Sequence, residues 1–500
     1  MKVKKILPHI FLILSSILLA LLFYLKIHFV NINFEQLLYT MRYLEGTNLH
    51  TIYEGTIFVV LIGSVIYILF LLFLYLNKKI IRKYQNKEKK LTVFPIYNVL
   101  CFSIIFFLFT CLFATFQLNI FSYLKKQFSS SLFYKEHYVN PNQVEIHFPE
   151  EKRNLIYLFL ESTETTVMSL DNGGGSLSSY IPRLEELALE NINFSHTEKL
   201  GGGRVLNNTS WTIAGMVAQT AGISLNIPID QNEYIGYSRF LPGVKTMGEI
   251  LKENGYQNYL MMGSKATFAG RDEYFKQHGD YEIFDYYTAI EEKKISENYY
   301  VWWGYEDKKL FEYAKEKLKN ISKQNQPFNF TMLTVDTHFT DGYLDETCTD
   351  LPFDNQYANV FYCNSNMVYD FIRWIQEQDF YENTTIILSG DHYSMQSLPI
   401  KCDNCQRVYN VFINSKIEPS NTKNREFTTI DMFPTTLASL GVEIKGNRLG
   451  LGTNLFSNTP TLSEELGFPY VNNEINKKSD FYNDYFLGDS YLEMLEELSK

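Results

Sequence analysis

Long apolar runs dominate the first 120 residues of the chain. They extend from Ile6 to Tyr24, from Thr56 to Leu76 and from Asn98 to about Leu118. Each has the roughly 20 residues that an α-helix needs to cross a bilayer, and three such runs in succession argue against buried core helices. Lysines precede the first run but no small-residue cleavage site follows it, so a signal peptide is disfavoured. The pattern predicts a transmembrane region over residues 1–120, with spans at about 6–24, 56–76 and 98–118.

Positive charge predicts the orientation of these spans. Lysines precede the first span, and a strongly basic segment at residues 77–90 separates the second from the third. Both basic segments are expected on the cytoplasmic side, and two spans between them satisfy that condition. Residues 26–50 and everything after residue 118 are then expected on the outer side. The soluble part is therefore predicted to be extracytoplasmic.

After the spans, the pattern changes to short buried strands that alternate with helices. A polar and aromatic linker is predicted over residues 121–153, near the membrane surface. Strands are predicted at Asn154–Leu160, Tyr256–Met262, Phe328–Thr334, Thr384–Ser389 and Val408–Asn414, and helices at Ile181–Glu190, Val244–Asn254, Leu310–Ile321 and Cys363–Gln378. This alternation predicts an α/β fold with a mostly parallel sheet covered by helices, over residues 154–456. The charged and aromatic tail, residues 457–500, has the pattern of an appended helix.

Net charge and cysteine usage narrow the class of protein. A formal charge of -11 argues against a nucleic-acid-binding protein, but it does not exclude an anionic substrate. Cys101 and Cys111 lie in an apolar run and are expected to be packing residues. Four cysteines lie in the soluble part: Cys348, Cys363, Cys402 and Cys405. Disulfide bonds suit an even number in an oxidising compartment, with the pairing open; a zinc knuckle would need a second CxxC, and a redox pair is the other alternative.

Acidic and imidazole side chains follow two of the predicted strands. Glu161 comes directly after Asn154–Leu160, while Asp391 and His392 follow Thr384–Ser389 and a glycine. Because the carboxyl ends of parallel strands meet at one edge of a sheet, these side chains are expected to lie close together. Carboxylates with one imidazole suit a divalent metal. The alternatives are a surface Asp-His turn and an acid at a helix N-terminus.

A hydroxyl is the third component of this predicted site. Residues 201–203 are glycines, and Thr209 and Ser210 follow shortly before a predicted helix. A threonine hydroxyl beside a metal ion loses its proton more easily and becomes a nucleophile. Alternatively, Thr209 or Ser210 only caps the helix.

Four motifs together resemble the phosphoglycerol transferases. They are Leu160–Ser162 (LES), Thr209–Gly215 (TSWTIAG), Thr334–His338 (TVDTH) and Ser389–His392 (SGDH). That family comprises membrane enzymes of the alkaline phosphatase/sulfatase superfamily, including lipoteichoic acid synthase and the transferase that decorates periplasmic glucans. The match covers residues 154 to 456, and it is closer to the glucan-decorating transferase. Sulfatase activity is disfavoured, because no Cys/Ser-x-Pro-x-Arg motif follows Thr209.

The resemblance implies a role for each matched residue. Glu161, Thr209, Asp391 and His392 would bind one divalent metal, with Thr209 as the nucleophile. Manganese suits this set of ligands, with zinc and magnesium as alternatives. His338 would contact the substrate phosphate or donate a proton to the leaving oxygen, and Arg271 and Lys265 would bind the phosphoglycerol group. The synthase-like relatives have tryptophan where this chain has Ala269, which puts the glycerol contacts there in doubt.

The resemblance also implies the reaction. Glycerol phosphate would move from phosphatidylglycerol to an envelope glycan or polymer, through a phosphothreonine-type intermediate, at the inner (cell) membrane of a bacterium. One rival is a phosphoethanolamine transferase that acts on lipid A or another glycan. A second rival is a non-catalytic envelope protein that binds lipid or glycan.

Overall fold

The fold was analysed in a computed structural model of the chain. The structure describes residues 3–28, 34, 37–38, 49–85, 99–226, 240–396, 398, 400, 402 and 404–488. These residues form two compact units, one largely of residues up to 125 and one largely of residues from 126 onward.

The first unit consists of apolar helices. Its bounds are α1 Val3–His28, α2 Leu49–Gln85 and α3 Val99–Gln117, and the short helix α4 Ile120–Gln127 follows. Stretches of 23, 28 and 19 residues in α1, α2 and α3 are long and apolar enough to cross a membrane. Only 6% of the most apolar window of α2 is buried, so large side chains such as Phe73 point outward. Outward-facing apolar surface of this extent is expected of helices that contact lipid.

The second unit contains the predicted sheet. Its strands are β1 Ile146–His147, β2 Asn154–Leu160, β3 Gly202–Gly203, β4 Gln257–Met262, β5 Glu282–Phe284, β6 Phe328–Leu333, β7 Thr384–Gly390, β8 Val408–Ile413, β9 Glu443–Ile444, β10 Arg448–Leu449 and β11 Gly452–Thr453. Among the described residues, seven form one sheet in the order β3-β8-β7-β2-β6-β4-β5. The five strands from β7 to β5 are parallel, and β8 and β3 add an antiparallel edge. The prediction of a mostly parallel sheet is confirmed.

Helices cover both faces of this sheet. They are α5 Phe133–His137, α6 Pro182–Glu190, α7 Thr212–Ala221, α8 Met247–Glu253, α9 Arg271–Gln277, α10 Tyr286–Glu291, α11 Asp307–Ile321, α12 Gln356–Gln376, α13 Met432–Ser439, α14 Leu462–Leu466 and α15 Phe468–Glu474. Alternate residues of β2 enter two separate apolar cores: Tyr157 and Phe159 one, Ile156 and Leu158 the other. A strand buried on both faces reads as a continuous apolar run, which is why its bounds could be predicted from sequence.

Residues on both sides of the predicted catalytic domain belong to the same core. Tyr134 is 1% exposed and its hydroxyl lies 2.7 Å from that of Ser224. Tyr482, in a π-helical turn at Tyr482–Leu487, is buried against the Tyr134 ring and donates to the Ser224 carbonyl. The segment from residue 133 therefore packs as part of the fold rather than serving only as a linker. The tail is likewise integrated as far as residue 488, and residues 489–500 lie outside the described residues.

The four soluble cysteines form two disulfide bonds. Cys348 is bonded to Cys363, and Cys402 to Cys405. The CxxC sequence is therefore a bridge in this structure. Cys101 and Cys111, on α3, carry free thiols.

Candidate active site

Two neighbouring parallel strands carry the acidic cluster. In the β2–β7 pair, Leu160 lies opposite Gly390, so the next residues, Glu161 and Asp391, leave the sheet side by side. One ligand atom from each of Glu161, Asp391 and His392 lies within 4.8 Å of the others, and all three side chains are buried. Within the described residues, no other group of three His, Cys, Asp or Glu side chains has this spacing.

Backbone hydrogen bonds orient Asp391 and His392. Oδ1 of Asp391 accepts from the N–H groups of Ser162 and His392, both at 2.8 Å. Nδ1 of His392 lies 2.7 Å from the carbonyl oxygen of Tyr393. Because a carbonyl oxygen only accepts, Nδ1 carries a proton, and Nε2 is the ring nitrogen that faces the carboxylates. Nε2 lies 3.2 Å from Oδ2 of Asp391 and 3.6 Å from Oε1 of Glu161.

The electrostatics of this cluster favour a bound cation. Burial, followed by repulsion from Glu161, raises the pKa of Asp391 to about 8. Burial alone would raise the pKa of Glu161 as well, but the imidazoles of His338 and His392 keep it below its ordinary value. Burial alone would lower the pKa of His392, and the two carboxylates outweigh it, so that pKa is raised. Two buried carboxylates whose oxygens lie within 4.8 Å of each other repel unless a proton or a cation lies between them.

An unpaired oxygen tests whether the residues fit a metal ion. Oδ2 of Asp391 is buried and makes no hydrogen bond with a described residue, although Nε2 of His392 lies 3.2 Å from it. A buried carboxylate oxygen without a donor is costly, and metal coordination would remove that cost. With Nε2 of His392 and the carboxylate of Glu161, it forms a set of oxygen and nitrogen donors suited to a divalent cation. The residues present therefore fit a metal.

The structure does not place Thr209 at this cluster. Oγ1 of Thr209 accepts from the N–H of Leu206 at 2.9 Å and donates to the Leu206 carbonyl at 3.1 Å. The hydroxyl of Thr429 donates to it at 3.4 Å, so both its proton and its lone pairs are engaged. Thr209 is also 0% exposed. The Thr209 hydroxyl therefore closes a turn three residues before the helix, and no hydrogen bond joins it to Glu161, Asp391 or His392 among the described residues; its role as a metal ligand stays a prediction.

Besides the buried hydroxyl of Ser162, which donates to Oε1 of Glu161 at 2.8 Å, the fold brings the hydroxyl of Thr212 to the acids. Its Oγ1 donates to Oε2 of Glu161 at 3.3 Å and lies 3.3 Å from Nε2 of His392. Thr212 is the first residue of α7, and its side chain is partly exposed. Sequence reasoning missed it, because Thr209 and Thr212 belong to one motif and the local sequence does not distinguish which hydroxyl faces the acids.

Close packing fixes α7 against β7. A Cβ on Gly215 would lie 2.2 Å from the Asp391 carbonyl oxygen, so only glycine permits this approach. One turn further, the amide of Gln219 donates to the Gly390 carbonyl at 2.9 Å and accepts from the Ser389 hydroxyl at 2.7 Å. These contacts place the N-terminal end of α7 beside the carboxyl end of β7.

His338 lies beside the cluster between two aromatic rings. Its ring centroid is 4.3 Å from that of Trp303 and 4.8 Å from that of Phe339. Nδ1 lies 2.8 Å from the Phe339 carbonyl oxygen, so it carries the proton of the neutral ring and leaves Nε2 unprotonated. Burial lowers the pKa of His338, and attraction to Glu161 only partly offsets that effect. His338 is therefore expected to be neutral at pH 7 until an anion approaches it.

Arg271 is a buried cation without a carboxylate partner among the described residues. It is 3% exposed, and its Nε and Nη2 donate to the carbonyls of Phe268 and Lys265 at 3.1 and 2.6 Å. Burial lowers its pKa to about 10, although Glu161 and other acids favour its charged form. The predicted alternative, a surface ion pair with Asp272, does not form. A buried guanidinium held only by carbonyls is suited to an anionic ligand.

Lys265 is placed differently. Its ammonium lies 5.3 Å from the ring centroid of Tyr287 and 5.9 Å from that of Tyr300. Among the described residues, no hydrogen bond or ion pair joins it to Glu161, Asp391 or His392. The structure therefore brings Arg271 and His338 into the field of Glu161, but it leaves Lys265 on aromatic rings.

Comparison with known proteins identifies the family. A family model named Sulfatase matches residues 153–442. Phosphoglycerol transferase I of Escherichia coli O127:H6 is 34% identical over 319 residues, which cover 62% of this chain, and its counterpart in strain SMS-3-5 matches equally well. The chain spans 40% of the length of these relatives. The predicted resemblance to phosphoglycerol transferases and to sulfatases is confirmed.

Solved structures of similar proteins show lower identities. An alkaline phosphatase superfamily protein from Vibrio parahaemolyticus is 18% identical with a TM-score of 0.47, over 65% of this chain and 76% of that one. The lipoteichoic acid synthase LtaP from Listeria monocytogenes is 19% identical with a TM-score of 0.46, over 63% and 79%. The assignment therefore rests on the family model, which matches more than half of the sequence: the chain belongs to the sulfatase family.

Proposed function

We propose that this chain is a membrane-anchored phosphoglycerol transferase, which moves glycerol phosphate from phosphatidylglycerol to a glycan or polymer of the cell envelope. The observation that carries the proposal is the partly exposed hydroxyl of Thr212, 3.3 Å from both a carboxylate and an imidazole. The relatives named phosphoglycerol transferase I support the identity of the transferred group. The three apolar helices support a membrane anchor.

Glu161, Asp391 and His392 would hold one divalent metal, with Thr212 in place of Thr209 as the fourth ligand. The mixture of carboxylate oxygens with one imidazole favours manganese over zinc or magnesium. When bound, such an ion lowers the pKa of a neighbouring hydroxyl and offsets negative charge on a phosphate.

Thr212 is the nucleophile of the first step. Its proton has an acceptor in Oε2 of Glu161, 3.3 Å away. As Oγ1 forms a bond to phosphorus, the bond from phosphorus to the diacylglycerol oxygen breaks, and that oxygen must gain a proton. In the second step an acceptor hydroxyl attacks the phosphothreonine and releases Thr212. Two in-line displacements through one hydroxyl make the reaction ping-pong.

His338 and Arg271 would bind the phosphodiester. The anionic substrate raises the pKa of His338, which is lowered in its absence, so that Nε2 can carry the proton needed by the leaving oxygen. The buried guanidinium of Arg271 supplies positive charge without ion pairing to a described carboxylate. Both residues therefore interact more strongly with the charged substrate than with the empty site.

The orientation of the chain belongs to the same proposal. With the N-terminus in the cytoplasm, the domain after residue 118 lies on the outer side of the bacterial cell membrane. There it can reach phosphatidylglycerol head groups and envelope acceptors.

Release of diacylglycerol from labelled phosphatidylglycerol tests the nucleophile. Thr212→Ala should abolish release, while Thr209→Ser, which keeps the buried hydroxyl, should retain it. Thr212→Ser should keep part of the activity, because it keeps a hydroxyl at the same place. Full activity of Thr212→Ala would refute the assignment. Greater turnover with phosphatidylethanolamine as donor would replace the proposed function by its phosphoethanolamine rival.

A further inference from the structure

The disulfide between Cys402 and Cys405 closes a very short loop. Its cysteines are 3 residues apart in the sequence, against 15 for Cys348 and Cys363. Because the stabilisation by a crosslink grows with the length of the loop that it closes, this bridge is expected to contribute less to stability than the other. The proposed transfer reaction does not use it either. Its CxxC spacing is that of cysteine pairs that exchange with other thiols.

One cysteine of the pair is accessible and the other is not. Cys402 is partly exposed, whereas Cys405 is 6% exposed. An incoming thiolate can therefore approach the bridge from the side of Cys402. The N–H of Cys405 donates to Sγ of Cys402 at 3.0 Å. A hydrogen bond of this kind stabilises the thiolate of Cys402 and makes that sulfur a better leaving group.

The buried end of the bridge is held by the segment that follows Glu161. The carbonyl of Cys405 accepts from the hydroxyl of Thr165, whose N–H donates to the Arg407 carbonyl at 2.8 Å. The N–H of Arg407 in turn donates to the Thr165 hydroxyl at 3.1 Å. The chain on both sides of Gln406 is therefore tied to the segment that begins at Glu161.

Gln406 connects the disulfide loop to the loop that carries His392. Its Nε2 donates at 3.0 Å to Oε2 of Glu164, an oxygen that also accepts from the N–H of Ser394 at 3.1 Å. Its carbonyl accepts from the Tyr393 hydroxyl at 3.2 Å. The Tyr393 carbonyl is the group that Nδ1 of His392 contacts at 2.7 Å. Two hydrogen-bonded routes therefore lead from the disulfide loop to the two residues after the imidazole.

Packing leaves the bridge little room to open in place. A Cβ on Gly175 would lie 3.0 Å from Cβ of Cys402 and 3.1 Å from Sγ of Cys405. Breaking the disulfide turns two bonded sulfurs into a non-bonded contact, which needs more space. Since the backbone of Gly175 packs against both cysteines, the loop must shift away from it when the bond breaks. That shift changes the position of Gln406.

We propose that the Cys402–Cys405 bridge exchanges with a dithiol, and that its oxidised form holds the metal-binding loop in place. A thiolate of the dithiol attacks Sγ of Cys402, and Sγ of Cys405 leaves with the electron pair and takes a proton. The second thiol of the dithiol attacks the dithiol sulfur of this mixed disulfide and releases Cys402 as a thiolate, which takes the second proton. The bridge thereby gains two electrons and two protons, and the dithiol becomes a disulfide. Only the effect on transfer rests on the proposed function.

Equilibration with dithiothreitol tests the exchange. Full-length protein in detergent would be incubated with mixtures of reduced and oxidised dithiothreitol, alkylated, and analysed by peptide mass spectrometry. Cys402 and Cys405 should become alkylated together, while the protein still unfolds in its usual thermal transition. Persistence of the bridge until the protein unfolds would overturn the proposal, since the bridge would then be a structural crosslink only. Alkylation of both residues before any reductant is added would overturn it as well.

Manganese titration of the oxidised and the reduced protein tests the link to the metal-binding loop. Dithiothreitol would be removed under argon, and binding would be followed by calorimetry. The reduced form should bind manganese about threefold to tenfold more weakly, since one supporting hydrogen bond is worth a factor of about 2 to 12. Reoxidation should restore the affinity. Equal affinities of the two forms would refute the link.

Two double variants separate the two bridges. Cys402→Ser/Cys405→Ser should bind manganese like the reduced protein and no longer respond to dithiothreitol. Cys348→Ser/Cys363→Ser should keep the response, and its loss there would assign the effect to the other bridge and overturn the proposal. If manganese affinity follows the redox state but neither form releases diacylglycerol, the proposed function fails and the exchange site stands. If transfer occurs, reduction should slow it at subsaturating manganese, and equal rates would contradict the coupling.

Discussion

Replacing Asp391 with asparagine tests the electrostatics of the acidic cluster, because the two side chains have nearly the same shape. Oδ1 would keep its donors, the N–H groups of Ser162 and His392. The oxygen that has no donor would become an amide nitrogen, 3.2 Å from Nε2 of His392 in the present geometry. The variant therefore removes one buried negative charge and supplies a donor to a neighbouring acceptor.

The magnitude follows from the pKa of Asp391. Folding raises it to about 8, chiefly through burial and then through Glu161, from about 3.9 in an unfolded chain. A carboxyl group with a raised pKa contributes its full stability below the unfolded value, and that contribution is lost as the pH rises towards 8. At about 1.4 kcal/mol per pKa unit, the loss at pH 8 is at most on the order of 5 kcal/mol. Replacement by asparagine should recover about 1–3 kcal/mol of this lost free energy of unfolding. The recovery is only partial because the charge of Glu161 remains buried.

Thermal unfolding of the purified full-length protein measures this effect. In EDTA at pH 8, Asp391→Asn should unfold at a Tm several degrees higher than wild type, and the difference should shrink at pH 5. Manganese should raise the Tm of the wild type and have little effect on the variant. A lower Tm of the metal-free variant, or an undiminished response to manganese, would refute the assignment of Asp391 as a ligand.

Asp336→Asn is the matched control for that experiment. Burial, followed by repulsion from Asp307, raises the pKa of Asp336 well above its ordinary value, and its Oδ2 is also buried without a hydrogen-bond partner among the described residues. It lies outside the metal-type cluster. This variant should also raise the Tm at pH 8, but it should keep the full response to manganese.

Three further substitutions test the surroundings of the site. Arg271→Lys should lower kcat/KM for phosphatidylglycerol at least tenfold, because an ammonium cannot reproduce the planar guanidinium; unchanged kinetics would remove Arg271 from substrate binding. Trp303→Leu should lower kcat more than it raises KM, since it removes the ring that packs on His338, and an unchanged kcat and pH profile would contradict that role. Gly215→Ala should destabilise the fold by more than about 2 kcal/mol in chemical denaturation, because its Cβ would overlap the Asp391 carbonyl; wild-type stability would mean that α7 can move.

The buried strands could be predicted from sequence because their local pattern and their tertiary role agree. After Asn154 the strand Asn154–Leu160 consists of aliphatic and aromatic residues that are all buried, as expected of a strand covered on both faces, and the structure begins and ends it at the predicted residues. The order of parallel strands then brings Glu161 and Asp391 together without further information. The proximity of three candidate site residues, Glu161, Asp391 and His392, could therefore be predicted from the strand ends alone.

Other features depend on tertiary contacts that leave little local trace. Gly202 and Gly203 have the composition of a flexible turn, yet they form an edge strand that pairs with β8. This close pairing requires glycine, because a Cβ on Gly202 would lie 1.8 Å from the Val408 carbonyl oxygen. Thr209 and Thr212 share one motif, and only the fold decides which hydroxyl turns inward to Leu206 and which reaches Glu161. A threonine that precedes a helix and a threonine that begins it have similar local sequences, but their side chains point in different directions.

Mass spectrometry of a trapped intermediate tests the central claim most directly. Purified full-length protein would be incubated with phosphatidylglycerol and manganese, without acceptor, then quenched in acid and digested. We expect one glycerophosphoryl group on the peptide that contains residues 209–215, with fragment ions that assign it to Thr212 and its loss on addition of acceptor. A modification on Thr209, or diacylglycerol release without any modified peptide, would contradict the account.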